Sequence, residues 1–581
     1  MPTAPHPRPT LPFNTTGIAG GVVEMPAFKN KFFPVRRRIF RRPSPPPGAR
    51  SARKKQRRTP LTDPPLPKNS PLPPPTPNPT PTTHIQQNDH ASSAAKSTSP
   101  YCKYDDHMIG LFVSSLFLAG IVGALVASLT SRKFGRRNTM LAGGLAFLFG
   151  SIIMASAVHM AMLIIGRLFM GLGVGLTTQA APLFLSEMAP YKLRGALNVL
   201  FQLSITIGIL VAQLINYGTQ YIPEWGWRLS LGLCGAPAIL LVIGCSFLPD
   251  TPNSLLERGF PDEAKRVLRR VRGVEDVSAE YEDIREAADA ALRSGNQWRT
   301  ILKPAYRPQL ILCILIPALQ QLTGINSVIF YAPQLFSSLG AGSEAALLNT
   351  VIIGAVNVLS TLVALYLVDR LGRKALFYEG GLQMIAAEVT IGVLLATQFT
   401  STVLADGSVG GTMPPSAAIA IIVLICVFIA GFAWSWGPLC WLVCTEIQPL
   451  ETRSAGYAIS VTANFALTFL IGQAFLSMLC AFQWGIFVFF AGWVLIMTIV
   501  VLLFVPETKG VPMEEIQEQL FMRHWFWGRL VKDYWGEGGV RRWSVDEHTD
   551  AEASLAKKGG AKAGGGKGGK GAALALEAAS S

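Results

Sequence analysis

Three carboxamides fall within the segment QQLTGIN, Gln320–Asn326, late in an apolar stretch long enough to cross a bilayer. A carboxamide both donates and accepts hydrogen bonds, so Gln320, Gln321 and Asn326 suit a neutral, hydroxyl-rich ligand better than a charged one. A buried amide without a partner costs roughly 1–3 kcal/mol, so such residues rarely sit in spans without a task. Gly324 lies between them and permits local unwinding. A second pattern is ionic: Glu187 and Arg194 stand in E-x-x-P-x-x-x-R, and Glu446 and Arg453 repeat it. With Arg136, Arg137, Arg373 and Lys374 nearby, these groups can form ion pairs that hold helix ends together in one state and release them in another. Partly exposed pairs are worth only ~0–1 kcal/mol each, which suits a gate that must open. The competing explanations are interhelical hydrogen bonding for the amides, worth about 0.6 kcal/mol on average, and inside-positive topology for the bases.

The elements that position these groups are membrane helices. Of 581 residues, 50% are hydrophobic and only 15% charged, against about a quarter charged in an ordinary soluble domain. Eleven apolar stretches run from Met108–Thr130 to Gly485–Val505, among them Leu310–Tyr331 and Ala417–Val443. Each is near the ~20 residues a helix needs to span a hydrocarbon core, and backbone groups in lipid must be satisfied within the segment. The expected fold is therefore all-α and integral to the lipid bilayer. The net charge of +15 resides largely in an N-terminal arm, short loops and a Lys/Gly-rich tail. It sets orientation and gives no reason to expect a nucleic-acid partner. Basic loops place Arg132–Arg137 and Arg370–Lys374 in the cytosol. The loops at Ala332–Glu344 and Gln398–Pro414, without Lys or Arg, face outward.

A repeat runs through the chain. Glu187 to Glu446 is an offset of 259, Pro249-Asp-Thr to Pro506-Glu-Thr one of 257, and RKFGRR at Arg132–Arg137 matches DRLGRK at Asp369–Lys374. Parallel repeats predict two similar bundles with a ligand site between them near the midplane. The organisation expected is an N-terminal bundle over 101–248, a cytosolic linker over 249–308, a C-terminal bundle over 309–506 and a cytosolic tail over 507–581. Short amphipathic helices are expected in the linker at Asp262–Arg272 and Glu280–Leu292. Residues 1–100 include a basic segment, Lys29–Arg58, and a proline-rich stretch that should be extended or disordered. An odd number of spans would put that basic arm outside, against the orientation bias.

The motifs GRLFMGLGVGL at Gly166–Leu176, QQLTGINSVIFYAP at Gln320–Pro333, AWSWGPLCWLVCTEIQPLETRSAG at Ala433–Gly456 and PETKG at Pro506–Gly510 make the chain similar to one family. It resembles the sugar porters of the major facilitator superfamily, closest to plant and green-algal monosaccharide–proton symporters. The resemblance implies twelve spans with both termini cytosolic. TTGIAGGV at Thr15–Val22 and KNKFFP at Lys29–Pro34 look like the outer end of the family's first helix and the loop after it. The chain is thus expected to lack most of that helix, as the product of an incomplete gene model would, with Thr15 where the family's proton-carrying aspartate falls.

By the same resemblance Gln202, Gln320, Gln321, Asn326, Asn357 and Trp441 bind a hexose, the indole offering an N–H and a flat face. Gln213 is assigned to packing. Arg167 is the implied partner of the first-helix carboxylate in proton coupling. Glu388, an acid within a span the family places at the periphery, is expected to be lipid-shielded or to snorkel outward. Cys102 and Cys480, both expected at the outer face, where disulfides form, are predicted to be bridged. The implied function is hexose transport by alternating access, as proton symport, with monosaccharide and protons as partners and the plasma membrane as its place. A passive uniporter, a non-transporting sugar sensor and an inactive product are the alternatives. Nothing in the chain resembles a nucleophile–base pair, a nucleotide loop or a metal cluster, so neither an enzyme, a cofactor nor a metal is expected.

Overall fold

The computed structural model describes residues 107–190, 194–222, 224–293, 295–330, 343–403, 409–511 and 520–534. The N-terminal half contains α1 (His107–Phe134), α2 (Arg136–Ala155), α3 (Met160–Met188), α4 (Arg194–Thr219), α5 (Gly226–Leu233) and α6 (Gly235–Phe247). The connecting region carries α7 (Pro252–Glu257), α8 (Pro261–Arg272), α9 (Ser278–Arg293) and α10 (Gln297–Thr300). The C-terminal half contains α11 (Arg307–Gln321), a helical segment at 325–330, α12 (Ser343–Leu371), α13 (Arg373–Gln398), α14 (Pro415–Trp434), α15 (Trp436–Glu446), α16 (Arg453–Phe482) and α17 (Gly485–Phe504). A short α18 (Trp527–Val531) follows. The loop after α13 adds a two-stranded antiparallel ribbon, β1 (Thr400–Val403) with β2 (Val409–Thr412), Thr400 opposite Thr412.

Among the described residues ten helical units are long and apolar enough to cross a membrane, α5 with α6 and α14 with α15 each counting once. Their outward faces carry large apolar side chains, Leu240 at 66% exposure and Phe247 at 84% among them. Lipid covers such faces. The expected span Leu310–Tyr331 is instead two helices. α11 stops at Gln321, Gly324 takes φ +76°, and Thr323 Oγ1 accepts from Ile325 N at 3.3 Å to start the next segment. A positive φ at that point favours glycine.

Two further breaks follow proline. Pro438 has no N–H for the Trp434 carbonyl and its ring crowds it. α14 accordingly ends at Trp434, with Ser435 at φ −121° and ψ −94°. Pro237 stands in the same relation to Leu233, where α5 gives way to α6.

In the N-terminal half α3 packs against both α1 and α2, and in the C-terminal half α13 packs against α14 and α17. The halves meet along two seams, α1 against α16 and α4 against α12. The repeat is visible at its turns. Gly135 and Gly372, at φ +94° and +93°, precede α2 and α13. Asp250 Oδ1 accepts from the backbone N–H of Arg136 and Arg137 at 3.2 and 3.3 Å. Glu507 accepts from Arg373 and Lys374 N–H at 3.0 and 2.9 Å. Each carboxylate thus caps a helix N-terminus, where unpaired donors and the helix dipole favour an anion.

A Cβ on Gly135 would fall inside the Asp250 carboxylate, and one on Gly372 would sit 3.0 Å from Glu507 Oε2. Gly135→Ala should therefore lower stability by more than Gly372→Ala, the backbone strain alone being worth about 1–3 kcal/mol at each, since positive φ with ψ at 164° and 168° is nearly confined to glycine. Thermal unfolding of the purified variants in detergent measures the order, and equal losses would show that the carboxylate contact is immaterial.

Candidate functional site

Between the two halves lies a cavity of about 130 Å³. All six residues expected to contact sugar line it. Gln202 comes from α4, Gln320 and Gln321 from the end of α11, Asn326 from the segment beyond the break, Asn357 from α12 and Trp441 from α15. Both helix breaks place these groups. The turn at 322–324 lets Gln321 and Asn326 face each other, with Asn326 Nδ2 donating to Gln321 Oε1. Just past the break at Ser435, Gln320 Nε2 donates to the Trp436 and Gly437 carbonyls in the first turn of α15, at 3.0 and 3.3 Å.

Gln320 is the hub. Its Oε1 accepts from Gln321 Nε2 at 3.2 Å and from Asn464 Nδ2 at 2.7 Å. Asn464, on α16, also lines the cavity, and sequence reasoning passed over it. The signal was the one used elsewhere, a carboxamide well inside an apolar span. Gln202, Gln320, Gln321, Asn357 and Asn464 are each 6% exposed or less. Asn357 Oδ1 has no hydrogen-bond partner among the described residues. The rest of the wall is apolar and aromatic. Phe117 of the N-terminal half stacks on Phe330 of the C-terminal half with centroids 5.7 Å apart, and Trp441 meets Phe201 edge-on at 5.9 Å. Such a chamber offers neutral donors and acceptors at fixed points and flat apolar faces between them, which matches a molecule with alternating hydroxyl and C–H surface.

The acids of the two motifs, Glu187 and Glu446, sit in two matching clusters at helix ends. Arg136 pairs with Glu187 at 3.0 Å and Glu257 at 2.8 Å, while Thr251 Oγ1 donates to Glu187 at 2.5 Å. Arg373 pairs with Glu446 at 2.8 Å and Asp369 at 3.2 Å, while Thr508 Oγ1 donates to Glu446 at 2.5 Å. The expectation treated these as partly exposed, but Arg136, Glu187, Arg373 and Glu446 are all under 9% exposed. Arg136–Glu187, Arg373–Glu446 and Arg373–Asp369 each lie within one half, while Arg136–Glu257 ties α7 of the connecting region to the N-terminal half. Arg137 donates to the Cys245 and Ser246 carbonyls, Lys374 to Leu502 O, and Arg453 Nε to Gln448 O. α4 begins at Arg194, whose side chain lies outside the described residues.

Arg167 is 1% exposed within α3, its guanidinium over the Phe112 ring at 4.3 Å. Thr15, the rest of the first-helix remnant and Cys102 lie outside the described residues. Cys480 is disulfide-bonded, and Cys234, Cys245, Cys313, Cys426, Cys440 and Cys444 are free. Of the two expectations for Glu388, the structure has the first: at 2% exposure the side chain is shielded from lipid inside the protein and does not snorkel. α13 packs on α14 and α17, which enclose that face of the helix, and Glu388 is not part of the cavity wall. Gln213 is buried on the α4–α12 seam, its Oε1 against Gly354.

Residues 56–520 match the family described as sugar (and other) transporter. Sugar transport protein 10 of Arabidopsis thaliana is 52% identical over 440 residues, covering 76% of this chain and 84% of that one. Sugar transport protein 13 of the same plant is 46% identical over 519 residues, covering 89% and 88%. Among solved structures, the proton:xylose symporter XylE bound to 6-bromo-6-deoxy-D-glucose superposes with a TM-score of 0.63 at 25% identity, covering 74% of this chain and 94% of that one. With two helical halves around a carboxamide-lined chamber and these relatives, the chain belongs to the sugar transporter family of the major facilitator superfamily.

Proposed function

We propose that the protein carries a hexose across the plasma membrane by alternating access, with the cavity amides and Trp441 as its sugar contacts. One observation carries this reading: six carboxamides from both halves and one indole converge on a single apolar-walled chamber. The sugar would sit between Gln202 on one side and Gln320, Gln321, Asn326, Asn357 and Asn464 on the other. Closing one mouth while opening the other then moves it across. Proton coupling is the further reading, drawn from the relative titled a proton:xylose symporter and from Arg167, a buried cation suited to tune a neighbouring carboxyl.

The test is uptake of labelled glucose by hexose-uptake-deficient cells expressing the full chain, with the pH of a weakly buffered medium followed at the same time. Uptake with alkalinisation supports symport, and uptake without it identifies a passive uniporter. Binding of sugar without net flux would identify a sensor and sink the transport reading. The outer disulfide supplies a second prediction. A Cys102–Cys480 bridge would clamp the external loop over the C-terminal half, so an impermeant reductant should reduce uptake by wild type. Cys102→Ser should already be reduced and show no further response. Wild-type uptake indifferent to reductant would remove the clamp from the mechanism.

A further inference from the structure

Behind the sugar contacts of α11 and α15 lies a cluster of thiols that the transport site leaves unused. Cys313 stands about two turns before Gln320 on α11. Cys440 and Cys444 stand one turn apart on one face of α15, with Trp441 between them in the chain. All three are free and wholly buried. Cys444 is within hydrogen-bonding reach of both others, Cys313 on the neighbouring helix and Cys440 on its own. Gln448 Nε2 donates to Cys313 Sγ at 2.9 Å, and Ser460 of α16 reaches Cys313 and Cys444. Tyr457, also of α16, is fully buried, and its hydroxyl feels all three sulfurs electrostatically. That hydroxyl has no hydrogen-bond partner among the described residues, and its ring lies 6.4 Å from that of Trp441.

Clustered sulfurs can serve a soft metal ion or react with one another. Among the described residues no group of three or more His, Cys, Asp or Glu is arranged to hold a metal ion. The pair that spans two helices is Cys313 with Cys444. We propose that these two cysteines are a redox modification site, which peroxide converts to a disulfide that staples α11 to α15 and stops sugar turnover. The Cys444 sulfur attacks one oxygen of hydrogen peroxide, the O–O bond breaks, and a water leaves with the thiol proton, giving a sulfenic acid. The Cys313 sulfur then attacks the sulfenic sulfur, the S–O bond breaks, and the hydroxyl departs with the Cys313 proton as a second water. Two thiols are oxidised and one peroxide is reduced. Basic loops orient this end of both helices toward the cytosol, a reducing compartment where disulfides are usually transient and redox-sensing. Dry thiols react slowly, so bridging should take minutes rather than seconds. The consequence for transport follows from what the helices carry, Gln320 and Gln321 on α11 and Trp441 on α15. A bond between them fixes their crossing and forbids any step that shifts one against the other. That consequence rests on the transport reading above.

The experiment treats cells expressing the full chain with hydrogen peroxide and reads two quantities. One is the bridged peptide, found by mass spectrometry after free thiols are alkylated and the protein is digested. The other is labelled-glucose uptake per surface protein. Wild type should yield the Cys313–Cys444 peptide pair. Its maximal uptake rate should fall about tenfold once roughly nine in ten molecules are bridged, with KM of the remainder unchanged. Cys313→Ser and Cys444→Ser should transport like wild type before treatment and keep that rate after it, whereas Cys440→Ser should stay as sensitive as wild type. Should one of the two protective variants fail to reach the membrane, the other decides the question. A missing bridge, a Cys440–Cys444 bridge in its place, or a Cys313→Ser variant still inactivated by peroxide would overturn the site. A bridge that leaves the uptake rate intact would overturn its effect on turnover. A wild type that moves no sugar would sink the transport reading, and the bridged peptide would then decide the modification site by itself.

Discussion

Gln320→Ala should lower the efficiency of sugar uptake by at least ~100-fold, with the protein still present in the membrane. Four hydrogen bonds meet at this side chain: two donated to the Trp436 and Gly437 carbonyls and two accepted from Gln321 and Asn464. Truncation strands Gln321 Nε2 and Asn464 Nδ2 in a dry wall, at about 1–3 kcal/mol for each buried group left unsatisfied. Each ~1.4 kcal/mol is tenfold in an equilibrium. The loss is not confined to one sugar contact, because Gln320 also holds the broken end of α15, which presents Trp441. Labelled-sugar uptake normalised to surface protein measures the effect, with sugar affinity of the purified variant separating binding from turnover. Asn357→Ala is the informative contrast, since its Oδ1 bonds nothing among the described residues. It should weaken sugar affinity about 10-fold without the structural loss, the worth of about one hydrogen bond. Near-wild-type uptake by Gln320→Ala would remove the amide hub from the site.

Arg136→Ala should be the most damaging single change to stability, and Arg373→Ala should mirror it. In each half one arginine holds a carboxylate that also accepts from a threonine, Glu187 with Thr251 and Glu446 with Thr508. Removing the cation leaves a buried anion unpaired, which typically costs 3–5 kcal/mol, about the whole margin of many folded proteins. Arg136 bridges two carboxylates that are almost fully buried, Glu187 and Glu257, whereas Asp369 beside Arg373 is 39% exposed. The N-terminal variant should therefore suffer more. Thermal unfolding in detergent and surface abundance give the order. The double change Arg136→Leu with Glu187→Leu should recover part of the loss, because only Glu257 is then left without its cation. A double variant no better than the single would mean that the pair is not the source of the damage.

Some of this was legible from residue type and spacing. Apolar stretches identified the spans because lipid allows few alternatives to a helix. The amides of Gln320, Gln321 and Asn326 announced a polar chamber because their residue type is costly in lipid unless used. Gly324 marked the unwinding because few other residues adopt its backbone angle. The second break, at Ser435, had its own sign in Pro438 but was hidden inside a continuous apolar run. The two alternatives for Glu388 stayed open for a related reason: hydropathy says that a residue is within a span, and only helix–helix contact says which way it faces. Asn464 carried the same signal as the other amides, yet its role depends on Gln320, 144 residues away.

The sequence by itself determined the membrane class, the internal repeat and the chemical character of the chamber, since these depend on composition and on distances along the chain. Only the tertiary structure decided which groups meet. It set Glu187 against Arg136 and Glu446 against Arg373 in buried clusters, and it stacked Phe117 of one half on Phe330 of the other. Such pairings join segments far apart in the chain. They depend on how helices rotate and pack, which periodicity along one segment cannot encode.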